Sequence, residues 1–221
     1  MIKAVIFDFD GLIVDTESVW FEAYKEVLQR YEVELTLQKF SEVIGTSDEI
    51  LFNFINSNLK EPIEKELIEQ MAKGLVDEKL LEPALRENVE DYLISAKNAG
   101  LQIALASSSS REWVESFLKK LNIYEYFSVI KTKDDVKKVK PDPELYLKAI
   151  EEIGVQASEA VAFEDSLNGL IAATKAGLHC VIVPNQVTSH LKFENHSLRL
   201  SSMAEKSLED VIKHLTNKLI D

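Results

Sequence analysis

Five short apolar runs, at residues 4–7, 103–106, 129–131, 160–163 and 180–183, constrain this chain most. Their hydrophobicity is nearly continuous rather than alternating, as expected of strands covered on both faces of a parallel sheet. Helical patterns with readable ends lie between them. Asp142-Pro143 offers an N-cap followed by proline at the first helical position, and Gly154 closes that helix. A second runs from about residue 166 to 176 and stops at Gly177, and Ser109-Ser110-Arg111-Glu112 reads as a capping box opening a third. Strand alternating with helix predicts an α/β fold, an open doubly wound (Rossmann-like) parallel sheet with its site at the carboxyl ends of the strands.

One stretch breaks that rhythm. From Thr16 to Glu82 no strand pattern is visible. Apolar residues recur instead at helical spacing: Trp20, Tyr24, Val27, Leu28 and Tyr31, then Val43, Ile44, Ile50, Leu51, Phe54 and Ile55. The expected division is an α/β core of residues 1–15 and 83–221, carrying an inserted α-helical cap at 16–82.

Composition narrows the function. With 46% hydrophobic and 29% charged residues, the 221-residue chain is expected to be globular. Its 25 basic against 38 acidic residues give a net charge of −13. That balance repels phosphate backbones and anionic lipids, so neither a nucleic acid nor a membrane surface is an expected partner. A small phosphorylated metabolite remains compatible, because a bound cation and one lysine reverse the sign locally. The single cysteine, Cys180, sits in an apolar run, where a buried and inert thiol is expected. The N-terminus enters the first apolar run without a signal-peptide pattern and no run has transmembrane length, so cytoplasmic residence is expected.

The chemistry-bearing residues gather at predicted strand ends. The first run delivers Asp8-Phe9-Asp10-Gly11. Residues two apart on extended backbone point the same way, so both carboxylates can face one site. Buried like charges need a cation or a shared proton, and magnesium with its oxygen ligands suits them. Ser107, followed by Ser108, comes after the second run; Lys140 follows the third; Glu164-Asp165 follows the fourth. Singly each is ordinary: a helix-capping serine, a surface lysine, an acidic pair before a helix. Their order on successive strand ends makes coincidence a poor explanation. Asp15 and Thr16 both suit the N-cap of the first cap helix, and a structural role is expected for them.

In this order the motifs resemble the haloacid dehalogenase superfamily, in its branch of β-phosphoglucomutase-like phosphatases, over essentially the whole chain. The resemblance implies a magnesium-dependent phosphatase for small organic phosphate monoesters. Asp8 is implied as covalent nucleophile and Asp10 as acid and base, with Ser107, Ser108 and Lys140 holding the phosphoryl group. The metal would be held by Asp8, the carbonyl of Asp10 and Asp165, with Glu164 contributing directly or through water. A sugar-phosphate mutase is the alternative. That branch carries a histidine where Trp20 stands, and an arginine after a cap turn matching Gly45-Thr46-Ser47-Asp48. Both departures favour hydrolysis, and Trp20, Thr46 and Asp48 become candidate specificity residues. Phosphonatase chemistry would need a cap lysine such as Lys25 or Lys73. A receiver-like phosphoacceptor module would be shorter and would need no cap.

Overall fold

The computed structural model describes residues 1–44, 49–59 and 63–217. Six parallel strands form one sheet: β1 (Ala4–Phe7), β2 (Gln102–Ala106), β3 (Val129–Lys131), β4 (Ala160–Glu164), β5 (His179–Ile182) and β6 (Leu198–Arg199). Their order is β3-β2-β1-β4-β5-β6. β1 is therefore central, paired with β2 on one side and β4 on the other. The chain winds outward in both directions from it, as the doubly wound expectation requires.

Side-chain alternation along the strands sorts the core into two unlike faces. Val5, Phe7, Ile103, Leu105, Val161 and Phe163 point to one side, where Phe7 stacks on Phe163 at 5.1 Å. Ala4, Ala104, Ala106, Ala160 and Ala162 dominate the other. Small residues there let helices approach closely. α7 (Glu144–Ile153) lies over β1, β2 and β3, and α8 (Leu167–Lys175) over β4 and β5. Cys180 is fully buried on the alanine-rich face, and burial pushes its thiol pKa well up, which leaves it inert.

Between β1 and β2 come α1 (Thr16–Gln29), α2 (Leu37–Ser41), α3 (Glu49–Asn58) and α4 (Lys65–Lys79), then α5 (Val89–Asn98). No strand occurs among the described residues of 16–82. α1 packs along α4, burying Phe21, Tyr24, Val27 and Leu28 of one with Ile68, Ala72 and Val76 of the other. α6 (Arg111–Lys120) follows β2, and α9 (Leu208–Asn217) packs on α5. No helix of the described residues is long and apolar enough to cross a membrane.

Helix ends follow the expected chemistry with three shifts. Asp15, not Thr16, caps α1, accepting from the Ser18 amide. Ser110, not Ser109, caps α6, accepting from the Trp113 amide at 3.3 Å. Thr16 and Ser109 are thereby freed for another use. Pro143, expected at the first helical position, stands at the cap of α7 in place of Asp142, whose Oδ1 accepts from the Glu144 amide at 3.1 Å, and Gly154 ends that helix in the left-handed region, at φ 78°. Thr46 and Asp48, the expected cap contacts, lie outside the described residues.

Candidate active site

Every strand end around the centre of the sheet contributes to one place. Asp8 leaves β1, its amide bonded to the Phe163 carbonyl of β4. Ser107 leaves β2, Lys140 comes from the loop after β3, Glu164 closes β4 and Asp165 follows it. Asp8, Ser107, Lys140, Glu164 and Asp165 are all buried. Sheet pairing of β1 with β2 and β4 makes this convergence a consequence of topology.

Lys140 is the one ammonium of the buried cluster. Its Nζ donates to Asp8 Oδ1 at 2.6 Å and to Glu164 Oε1 at 2.6 Å. The Tyr146 hydroxyl also donates to Glu164 Oε1, and Ser166 Oγ donates to Oε2 at 3.3 Å. Glu164 thus turns both oxygens to protein donors and anchors the lysine. Burial alone would lower the Lys140 pKa, but the Asp8 and Glu164 carboxylates outweigh it and raise it. The Lys140–Pro141 peptide is cis.

The carboxylates outnumber the ammonium. Asp8 is pushed up to about 8, first by burial and then by Glu164, against the lowering influence of Lys140. Asp165 is raised well above the usual carboxylate range by burial, Asp8 and Glu164, with Arg86 opposing. One oxygen each from Asp8, Glu164 and Asp165 lie within 4.8 Å of one another. Asp165 Oδ2 accepts from Asn185 Nδ2 at 2.7 Å, while its buried Oδ1 has no hydrogen-bond partner among the described residues. Clustered acids with one buried oxygen orphaned fit a hard, oxygen-seeking divalent cation.

Two close approaches hold this geometry. Gly11 has φ 76°, and a β-carbon there would overlap Asp165 and Asn185. Its carbonyl accepts from the Arg86 guanidinium, which also donates to the carbonyls of Val183 and Pro184 and so ties the loops after β1 and β5 together. Gly169, in the first turn of α8, lies where a β-carbon would overlap the Glu164 carboxylate.

Asp10 stands beside the cluster with a separate set of partners. Oδ1 accepts from Thr16 Oγ1 at 2.8 Å and from the Trp113 indole N–H at 2.9 Å. Oδ2 accepts from Ser109 Oγ at 2.6 Å and Ser107 Oγ at 3.4 Å. Thr16 is therefore a site residue, contrary to its expected purely structural role, and it is fully buried.

A cavity of about 280 Å³ opens over these groups, with Asp8, Asp10, Ser107, Ser108 and Asp165 at its polar base. Trp20, Tyr24 and Phe40 from α1 and α2 and Trp113 from α6 form an aromatic wall. Trp20 is half-buried, stacked 5.6 Å from Tyr24 and 6.2 Å from Trp113. It both faces the cavity and packs on the core, so the two expectations for it are not exclusive. Lys25 and Lys73 do not line the cavity; they lie over Phe21 and beside Asp77. Thr16, Ser109, Trp113, Tyr146 and Asn185 were not singled out as site groups from sequence. Ser109 and Asn185 had an available signal, each standing three residues past a strand end.

Comparison with known proteins agrees with the geometry. The model of the haloacid dehalogenase-like hydrolases matches residues 5–183. YhcW of Bacillus subtilis (strain 168) is 44% identical over 219 residues, covering 99% of this chain and 100% of that protein. The phosphorylated carbohydrates phosphatase of Thermotoga maritima is 35% identical over 180 residues, 80% of this chain and 82% of that one. The crystal structure of CbbY from Rhodobacter sphaeroides in complex with phosphate is similar at a TM-score of 0.77 and 31% identity, covering 93% of this chain and 96% of that one. With its parallel α/β sheet, its acidic strand-end cluster and these relatives, the chain belongs to the haloacid dehalogenase-like hydrolases, as a phosphohydrolase.

Proposed function

We propose that this protein hydrolyses small organic phosphate monoesters through an aspartyl-phosphate intermediate on Asp8. The observation that carries this is the buried Lys140–Asp8 pair at 2.6 Å. The lysine orients the nucleophile and supplies a positive charge beside the oxygens of an incoming phosphate. A carboxylate about 4 Å from one negative charge of a phosphate is repelled by roughly 4 kcal/mol at an effective dielectric of 20. The carboxylates of Asp8 and Asp165 and the Asp10 carbonyl would hold magnesium, which would supply further positive charge against that repulsion.

The protein groups then divide the work. An Asp8 carboxylate oxygen bonds to phosphorus as the phosphorus–alkoxide bond breaks. Asp10, entering protonated, gives its proton to the departing oxygen. Water next attacks the aspartyl phosphate, its proton passes to Asp10, and phosphate leaves with Asp8 regenerated. Lys140 and the Ser107 hydroxyl hold the phosphoryl oxygens, with Ser108 beside them at the cavity base. The Ser109 amide donates to Ser107 Oγ at 3.0 Å, and the Ser107 hydroxyl, which donates to Asp10 Oδ2 at 3.4 Å, can turn to the phosphoryl oxygens when substrate enters. Glu164 acts through Lys140.

Residues 16–82 serve in this account as a cap that closes over the cavity, hinged near Asp15. Water is the final acceptor. Trp20 offers an indole rather than an imidazole at the position where the mutase branch places its histidine, and a relative at 35% identity is named a phosphatase of phosphorylated carbohydrates. A phosphate-release screen over a phosphomonoester panel, with and without Mg²⁺, tests the proposal. Multiple turnovers with Mg²⁺ are expected; one stoichiometric phosphorylation without release would contradict it.

A further inference from the structure

The four donors around Asp10 are not chemically equivalent. Three are hydroxyls, which can reverse and accept when the carboxyl carries a proton. The fourth, the Trp113 indole N–H, is a donor only. The indole N–H therefore holds Oδ1 in one direction, whereas the hydroxyls on either oxygen can turn.

Trp113 is also held firmly. It stands in the first turn of α6, where Ser110 caps its amide. Its ring packs 4.6 Å from Phe117 beneath and 6.2 Å from Trp20 above. Trp20 lies four residues beyond Thr16 on α1, so the two share a helix face. The helix that supplies the hydroxyl donor to Oδ1 therefore also braces the indole donor to the same oxygen.

We propose that Trp113 is a positioning residue for proton transfer: its N–H, donated to Asp10 Oδ1, fixes the carboxyl group so that Oδ2 faces the phosphoryl site. Oδ2 is the oxygen that shares Ser107 with the phosphoryl site. In the first chemical step the Oδ2–H bond breaks, the proton goes to the departing alkoxide oxygen, and its electron pair stays on Asp10. This inference rests on the acid and base role proposed for Asp10.

Trp113→Phe keeps the ring and removes the donor. The test compares kcat/KM, which covers steps up to leaving-group departure, for a simple alkyl phosphate and for p-nitrophenyl phosphate. Nitrophenolate leaves without a proton, so only the alkyl substrate needs the acid. The alkyl value should fall about 10-fold or more, part of the 10²–10⁴ that such catalysis supplies, with p-nitrophenyl phosphate changed less than about twofold. Equal losses on both substrates, or no loss on either, would overturn the proposal. Asp10→Ala separates the two levels. If it selectively lowers the alkyl substrate while Trp113→Phe does not, only the positioning inference fails; if it spares the alkyl substrate, the acid role fails too. Independently of how Trp113→Phe folds, the ¹⁵N-labelled indole resonance of Trp113 should shift upfield in Asp10→Ala, and an unchanged resonance would overturn the contact.

Discussion

The Lys140 ammonium and Asp8 Oδ1 stand 2.6 Å apart at the buried base of the cavity, and Glu164 holds the same ammonium at the same distance. One positive charge thus faces Asp8, Glu164 and Asp165, a set of three acids. Burial first, and then this unbalanced charge, raises Asp8, and the excess of acids fits a divalent cation.

A pH dependence follows with a definite sign. Asp8 moves from 3.8 to about 8 on folding without metal, so the folded state binds this proton more tightly. The stability it contributes is fully present below the unfolded value and is lost as pH rises through about 8. Metal binding needs the ionised form, so it releases a proton below that pH. The Mg²⁺-induced rise in Tm should therefore be larger at pH 8 than at pH 6, by calorimetry; an equal or smaller rise at pH 8 would contradict this.

Asn185→Ala removes the donor to Asp165 Oδ2 without touching a proposed ligand. Partners of metal-binding groups typically contribute about 10–100-fold in affinity. Mg²⁺ titration calorimetry should show a loss of that size, and unchanged affinity would argue against Asp165 as a ligand oriented by Asn185.

Gly169→Ala places a β-carbon into the Glu164 carboxylate. Overpacking of this kind costs about 1–3 kcal/mol. Because Glu164 anchors Lys140, turnover should drop at least about 10-fold together with stability. Denaturant unfolding and kcat measured on one preparation check this; wild-type values for both would contradict the close approach.

Tyr146→Phe tests the anchor from the other side. The hydroxyl donates to a fully buried Glu164 oxygen, and hydrogen bonds to charged groups contribute about 1.5–3 kcal/mol. A Tm loss is expected with KM little changed, because Tyr146 does not line the cavity.

The sheet and the strand-end residues were legible because parallel topology needs little more than apolar runs in order. Asp8, Ser107, Glu164 and Asp165 stand at ends of strands whose register is set by pairing, and Lys140 lies in the loop after β3. What escaped depends on loop geometry. Ser109 fits a capping box in sequence, yet the turn after β2 assigns capping to Ser110 and aims Ser109 at Asp10. Thr16 and Trp113 lie 6 and 103 residues from Asp10, and the folded turn between Phe9 and Val14 together with the pairing of β1 with β2 brings them to one carboxylate. The acidity of Glu164 is visible in sequence, whereas its bonds to Lys140 and Tyr146 are not.

The central claim is that Asp8 forms the covalent bond to phosphorus. Steady-state phosphate release by Asp8→Asn, with saturating Mg²⁺ on the best substrate of the panel, tests it most directly. Removing a nucleophile should lower kcat by at least about 10³-fold, with the Asn variant still folded. Near-normal, Mg²⁺-dependent turnover by Asp8→Asn would contradict the account.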